Sequence, residues 1–238
     1  MKTKFLIAAI ILTAAGAVFF LWLGKPDSPL AERIAPVWQT LEQGTGTIIG
    51  EDIKYSPSHP LVEAAKKQIG VVTKYDTSYY PDGYPPTDRG ACTDVIARAL
   101  KTNGYDLKEK IDADMAEYPD KYPNASDPNI NFRRVTNVKI FLDNHAQKLS
   151  TCITSECFAQ GLWQAGDIVT FDQIPESLWH IAIVSNKTKK NNNLGGAMVP
   201  FLVHNHGGGT VEDNMLLTWP TPITGHYRTS SWNLESRI

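Results

Sequence analysis

Asp88-Arg89-Gly90-Ala91-Cys92-Thr93-Asp94-Val95-Ile96-Ala97-Arg98-Ala99-Leu100 is the stretch around which the chain is organised. Val95, Ile96, Ala99 and Leu100 recur at helical spacing, and Asn103-Gly104 supplies a stop signal. Cys92 precedes Val95 by three residues and Ile96 by four, so its side chain starts the same inward face. A thiol at a helix N-terminus meets unpaired N–H groups and the positive end of the dipole. Both favour the thiolate, which makes Cys92 a candidate nucleophile. Unreactive cysteine is also among the most buried residue types, so the helix alone leaves both readings open.

Downstream of this helix, Asp106 to Tyr118 reads as a second helix, followed by the polar turn Asp127-Pro128-Asn129. Arg133 and Arg134 then precede a third, from about Asn137 to Gln147. The last third changes period. Gly166 to Phe171, His180 to Ser185 and Phe201 to Asn205 read as strands, and Gly225 to Arg228 as a final short one, with Val211 to Trp219 unassigned. Helices first and hairpin-joined strands afterwards predict an α+β domain with N-terminal helices on a C-terminal antiparallel sheet. Hairpins in place of helical crossovers argue against a Rossmann-type sheet.

Upstream, Tyr79-Tyr80-Pro81-Asp82-Gly83-Tyr84 is an aromatic loop leading into the cysteine helix, and Val71 to Tyr75 reads as a short strand. Ser58 is a candidate N-cap for a helix whose face is Leu61, Val62, Ala65 and Ile69, with Gly70 as its stop. Residues 25–57 are rich in proline and glycine and read as a linker with one short helix around Ala31 to Leu41, so the domain is expected over 58–238. Within residues 1–24, Lys2 and Lys4 precede an uncharged run from Phe5 to Gly24, long enough at ~1.5 Å per residue to span a bilayer. The small residues Ala14 to Ala17 lie inside this run, which favours an uncleaved anchor over a removed signal peptide. In either case the lysines stay cytoplasmic and the domain is exported to the periplasm or cell exterior, tethered to the inner membrane by residues 5–24 or released.

A net charge of −2 leaves no electrostatic footprint for nucleic acid. Of the three cysteines, Cys152 and Cys157 are close in sequence. An oxidising compartment favours a local disulfide between them and leaves Cys92 as the free thiol; kept reduced, the pair simply packs.

A cysteine nucleophile needs a base and a group to orient that base. His180 opens an apolar strand, from whose end its imidazole is expected to project towards a packed helix. On the next strand His204 and Asn205 point to opposite faces, so only one of them faces His180. His204 and His206 share a face, but the pattern shows no third ligand for a catalytic zinc, so no metal or other cofactor is expected.

Cys92-Thr93-Asp94 opening a helix, Gly166-Asp167-Ile168-Val169 and His180-Ile181-Ala182-Ile183-Val184 resemble the core of the NlpC-type peptidases. These are papain-like cysteine peptidases that cut bacterial cell-wall peptides. Residues from about 60 to 230 more closely resemble domain-of-unknown-function family 1287, an exported bacterial family of that clan. The matching stretches are Arg89 to Asp94, Asp127 to Ile130, Arg133 to Val135, Val203 to Asn205 and Gly225 to Arg228. The resemblance implies a papain-like fold with Cys92 as nucleophile, His180 as base, and His204 as the orienting third residue, with Asn205 the runner-up. It implies thiol hydrolysis of an amide in peptidoglycan or a related envelope peptide. The oxyanion would lie near the Cys92 N–H, with a tyrosine from 79 to 84 beside it, so Tyr80 joins the substrate-binding candidates. The usual Asp-Cys-Ser-Gly signature is replaced by Ala91-Cys92-Thr93-Asp94. Asp94, Arg133 and Arg134 belong to the closer pattern and either hold a substrate carboxylate or make a structural ion pair, the latter preferred. A transferase on the same triad and a non-catalytic envelope-binding module are the alternatives.

Overall fold

The structure is a computed structural model describing residues 52–172, 179–229 and 232, together with the backbone of residues 12–14 and 17–19. The chain divides into two units, residues 1–47 and 48–238. In the first, β1 (Leu12–Ala14) and β2 (Ala17–Phe19) pair antiparallel. The remainder of the expected anchor, and the expected helix at Ala31 to Leu41, lie outside the described residues. No described helix is long and apolar enough to cross a membrane.

The second unit opens on β3 (Ile53–Tyr55), which the composition had assigned to the linker but which pairs antiparallel with residues 187–189. Helix α1 (Pro60–Lys66) is capped by His59, whose Nδ1 accepts the Leu61 N–H at 3.2 Å, with Pro60 pre-set for the first turn. The cap thus falls one residue after Ser58, and Ile69, expected on the buried face, is 40 % exposed beyond the helix end. A short parallel pair, β4 (Lys74–Tyr75) and β5 (Arg89–Gly90), brackets the aromatic loop and delivers the chain to α2 (Cys92–Thr102). Helix α3 (Leu107–Glu117), the short α4 (Pro128–Asn131) and α5 (Val135–His145) complete the helical layer.

After the two-residue β6 (Gln147–Lys148) and α6 (Ser155–Ala159), the remaining strands are β7 (Ile168–Phe171), β8 (His180–Asn191), β9 (Ala197–Asn205), β10 (Thr210–Asp213) and β11 (Ile223–Arg228). They form an antiparallel sheet ordered β10-β9-β8-β7-β11-β6, with β3 on the far half of β8. The architecture is therefore α+β. Cys152 and Cys157 are joined by a disulfide across the turn into α6.

Strand alternation divides the core in two. Ile168, Ile181, Ile183, Val203 and Tyr227 pack with Cys92, Val95, Ile96 and Leu100 under the helices. Val169, Phe171, Ala182, Val184 and Leu202 pack on the opposite face with Phe158, Trp163 and Leu216. Each face is largely apolar because each is covered, which is why β7 and the start of β8 read as mainly apolar runs without alternation.

Candidate active site

Ala91 has no side-chain acceptor, so the start of α2 is held from within: Asp94 Oδ2 accepts the Ala91 N–H at 2.6 Å. Asp94 is fully buried and paired with Arg133, whose Nη2 lies 2.9 Å away and whose Nε bridges both carboxylate oxygens at 3.0 and 3.2 Å. The same guanidinium donates to the carbonyls of Ser78 at 2.6 Å and Asp76 at 3.0 Å, tying the aromatic loop to the helix start. Asp94 and Arg133 are thus a buried ion pair. Arg134 is exposed.

The neighbours of the Cys92 thiol include the Ile181 and Thr93 backbone N–H groups and the Tyr75 hydroxyl. These donors favour a thiolate, but burial outweighs them and pushes the Cys92 thiol up to about 11. The lowered value expected from the helix N-terminus alone is not what the folded site has. Tyr75 is raised in turn, first by burial and then by the neighbouring sulfur. Beside the thiol lies a cleft of about 250 Å³ lined by Tyr75, Thr77, Arg133, Arg134 and Trp179 among others. The tyrosine at this cleft is Tyr75. Tyr80 instead donates to Asp76 at 2.9 Å and lies beneath the Arg133 guanidinium, 5.5 Å from ring centre to Cζ.

His180 is placed differently from the expectation. Ile181 packs with Cys92, and alternation sends the preceding side chain through to the other face. There His180 stacks on Trp219 at 3.9 Å and 16° and sits near Phe171. Its Nε2 lies 2.6 Å from His204 Nδ1. His204 Nε2 lies 2.9 Å from Asp213 Oδ1, and His206 Nε2 2.9 Å from Asp213 Oδ2. Burial holds His180 well below its ordinary pKa. Burial also lowers His204, against the opposing pull of Asp213. Both shifts favour the neutral imidazole.

Asn205 takes the opposite side to His204. Its Nδ2 donates to the Gly90 carbonyl at 2.7 Å and to that of Lys74 at 3.3 Å, so it anchors the segment that presents Cys92. The structure accordingly brings His180 to His204, and Asn205 to the cysteine loop. Among the described residues, no hydrogen bond joins Cys92 to either histidine. Asp213, Trp219 and Tyr75 are the site residues that the sequence pattern did not single out.

The family model described as Domain of unknown function (DUF1287) matches residues 62–229. The chain belongs to this family. A curated relative, "Uncharacterized protein YijF" of Escherichia coli (strain K12), is 34 % identical over 177 residues, covering 71 % of this chain and 80 % of that protein. No solved structure matches the chain. The DUF1287 match contains the thiol cleft, the Asp94–Arg133 pair, the disulfide and the histidine cluster, while β3 lies outside it.

Proposed function

We propose that this DUF1287 domain is an exported thiol amidohydrolase of the papain-like, NlpC-type class, acting on an amide bond of peptidoglycan or a related envelope peptide. The observation that carries the reading is the setting of the Cys92 sulfur. It lies at the start of α2 with the Ile181 and Thr93 N–H groups and the Tyr75 hydroxyl as polar neighbours, beside a cleft that bears Arg133 and Arg134. A cysteine that only fills core needs no such donors; a thiolate nucleophile does. In the reaction the thiolate attacks the carbonyl carbon, the leaving amine takes a proton from an imidazolium, and water releases the acyl group. The tetrahedral oxyanion lies near the N–H groups at the start of α2. Arg134, exposed at the cleft, suits a carboxylate of the substrate peptide.

His180 remains the proposed base, and this sets a requirement. Its ring packs on the face away from the sulfur, so proton transfer belongs to a form in which the first residue of β8 turns towards the Ile181 side. The same placement, with the thiol raised to about 11, favours a second reading, an envelope-binding module in which Cys92 is inert.

Export and tethering through residues 5–24 are part of the proposal. Its test is mass spectrometry of purified cell-wall fragments incubated with the full chain, beside Cys92→Ala and His180→Ala. New fragments from the wild type alone establish the hydrolase and identify the bond; products joined to an added amine redefine it as a transferase. No product from the wild type, with Cys92 unlabelled by iodoacetamide near neutral pH, overturns the reading in favour of the binding module.

A further inference from the structure

On the face away from Cys92, two imidazoles and a carboxylate converge in a way the thiol reading does not use. We propose that His204, His206 and Asp213 form a binding site for a divalent transition-metal ion of the zinc class, with His180 as its outer-shell partner.

The sequence showed two histidines on one face of a strand without a third ligand. The antiparallel register supplies it. Val211 pairs with His204, and Asp213, two residues further along β10, lies diagonally on the same face. The ligand atoms of the three residues all lie within 4.8 Å of one another. His204 and His206 each direct Nε2 at a different oxygen of the same carboxylate, so both nitrogens approach from one side. A tetrahedral ion with bonds of about 2.0–2.2 Å holds its ligand atoms roughly 3.3–3.5 Å apart. Small side-chain adjustments bring this set to that spacing, the ion taking Nε2 of each ring while that ring keeps its proton on Nδ1.

The surroundings are those of a metal-bound imidazole. A ligating histidine uses one ring nitrogen for the ion and gives the other to an outer-shell acceptor, which fixes its orientation. His204 has this arrangement already, with Nε2 towards Asp213 and Nδ1 2.6 Å from His180 Nε2. His180 is itself held by its stack on Trp219, whose ring also meets His204 and His206 edge-on at 5.6 and 5.8 Å. The His204 side chain is fully enclosed, whereas His206 and Asp213 are 34 % and 30 % exposed, so the cluster has a buried anchor and an open mouth. Two imidazoles and one carboxylate suit zinc or a neighbouring first-row ion better than calcium or magnesium. Three protein ligands leave a position for water or substrate, the pattern of an open site and not of a closed structural one.

The site shares His180 with the thiol reading, but its ligands His204, His206 and Asp213 do not depend on that reading, and it is tested without activity. Untagged, chelator-treated full chain with its disulfide intact is titrated with zinc by calorimetry, and cobalt substitution is followed by visible absorption. About one zinc per chain is expected, with cobalt bands of a low-coordinate N/O site. Cys92→Ala retains both, whatever the fate of the hydrolase. His206→Ala, at an exposed position that leaves the fold intact by circular dichroism, and Asp213→Asn lose stoichiometric binding. His180→Ala binds about 10–100-fold more weakly. Absence of stoichiometric uptake by the wild type overturns the proposal, as does uptake unchanged in His206→Ala and Asp213→Asn.

Discussion

Replacing Arg133 by Met tests what holds the thiol-bearing helix in place. The substitution keeps the aliphatic stem but removes every donor that Asp94 takes from the guanidinium, at 2.9, 3.0 and 3.2 Å. It leaves a fully buried carboxylate that still accepts the Ala91 N–H at 2.6 Å, and it frees the Ser78 and Asp76 carbonyls. Breaking a buried ion pair from one side costs about 3–5 kcal/mol, chiefly the penalty of the stranded charge. The two carbonyls lie in a partly exposed loop where water replaces the lost donor, so they add little. In a domain of this size the change lowers Tm by roughly 6–20 °C. Removing both charges in Asp94→Leu/Arg133→Met eliminates the stranded carboxylate and recovers most of the loss. Urea unfolding followed by far-ultraviolet circular dichroism at constant m-value gives the three free energies. A single-variant cost below about 1 kcal/mol, or a double variant no more stable than the single, refutes the assignment of Asp94–Arg133 as the lock on α2.

Two further outcomes follow from the sheet. Burial raises Asp167, but hydrogen bonds from His226 at 2.8 Å and Arg228 at 2.7 and 2.8 Å outweigh it and hold the carboxyl below its ordinary value. A depressed folded-state pKa contributes stability that is present above the unfolded value of about 3.9 and lost as pH falls through the folded one. Asp167→Asn is therefore less stable near neutrality, with a flatter loss of stability below about pH 4 than the wild type; parallel acid limbs in urea midpoints against pH would contradict this. Gly209 ends the turn between β9 and β10 at φ +112°, and a Cβ there would stand 2.4 Å from the Val72 carbonyl oxygen. Gly209→Ala is expected to destabilise by at least about 1–3 kcal/mol, and a midpoint within error of wild type would show that the turn and the Val72 backbone yield freely.

The local elements whose residues repeat strongly were legible in the sequence. The helix from Cys92 follows from Val95, Ile96, Ala99 and Leu100, all fully buried, and the strands at Ile168 and Ile181 from runs of mainly apolar residues. Elements that exist only through their partners were not. Residues 186–191 are polar and carry no strand pattern of their own, yet β8 continues through them because β9 and β3 bond to its two edges. Ile53 to Tyr55 is too short to register by periodicity and is a strand for the same reason. The cysteine's chemistry was half legible. The helix start favours the thiolate through the Thr93 N–H, but burial under the sheet and loop outweighs it and raises the thiol.

By itself the sequence determined the α+β order of elements, the inward placement of Cys92, and the rule that His204 and Asn205 occupy opposite faces. A two-residue period follows from backbone geometry and needs no partner. Which face belongs to which residue was decided by the tertiary structure. Packing the helices against Ile181 and Val203 assigns Asn205 to the cysteine side and sends His180 and His204 to the other. Register then brings Asp213 to the histidines, and the chain's path carries Trp219 over them. Period is a property of a strand alone, whereas face and register belong to what the strand is packed and bonded against.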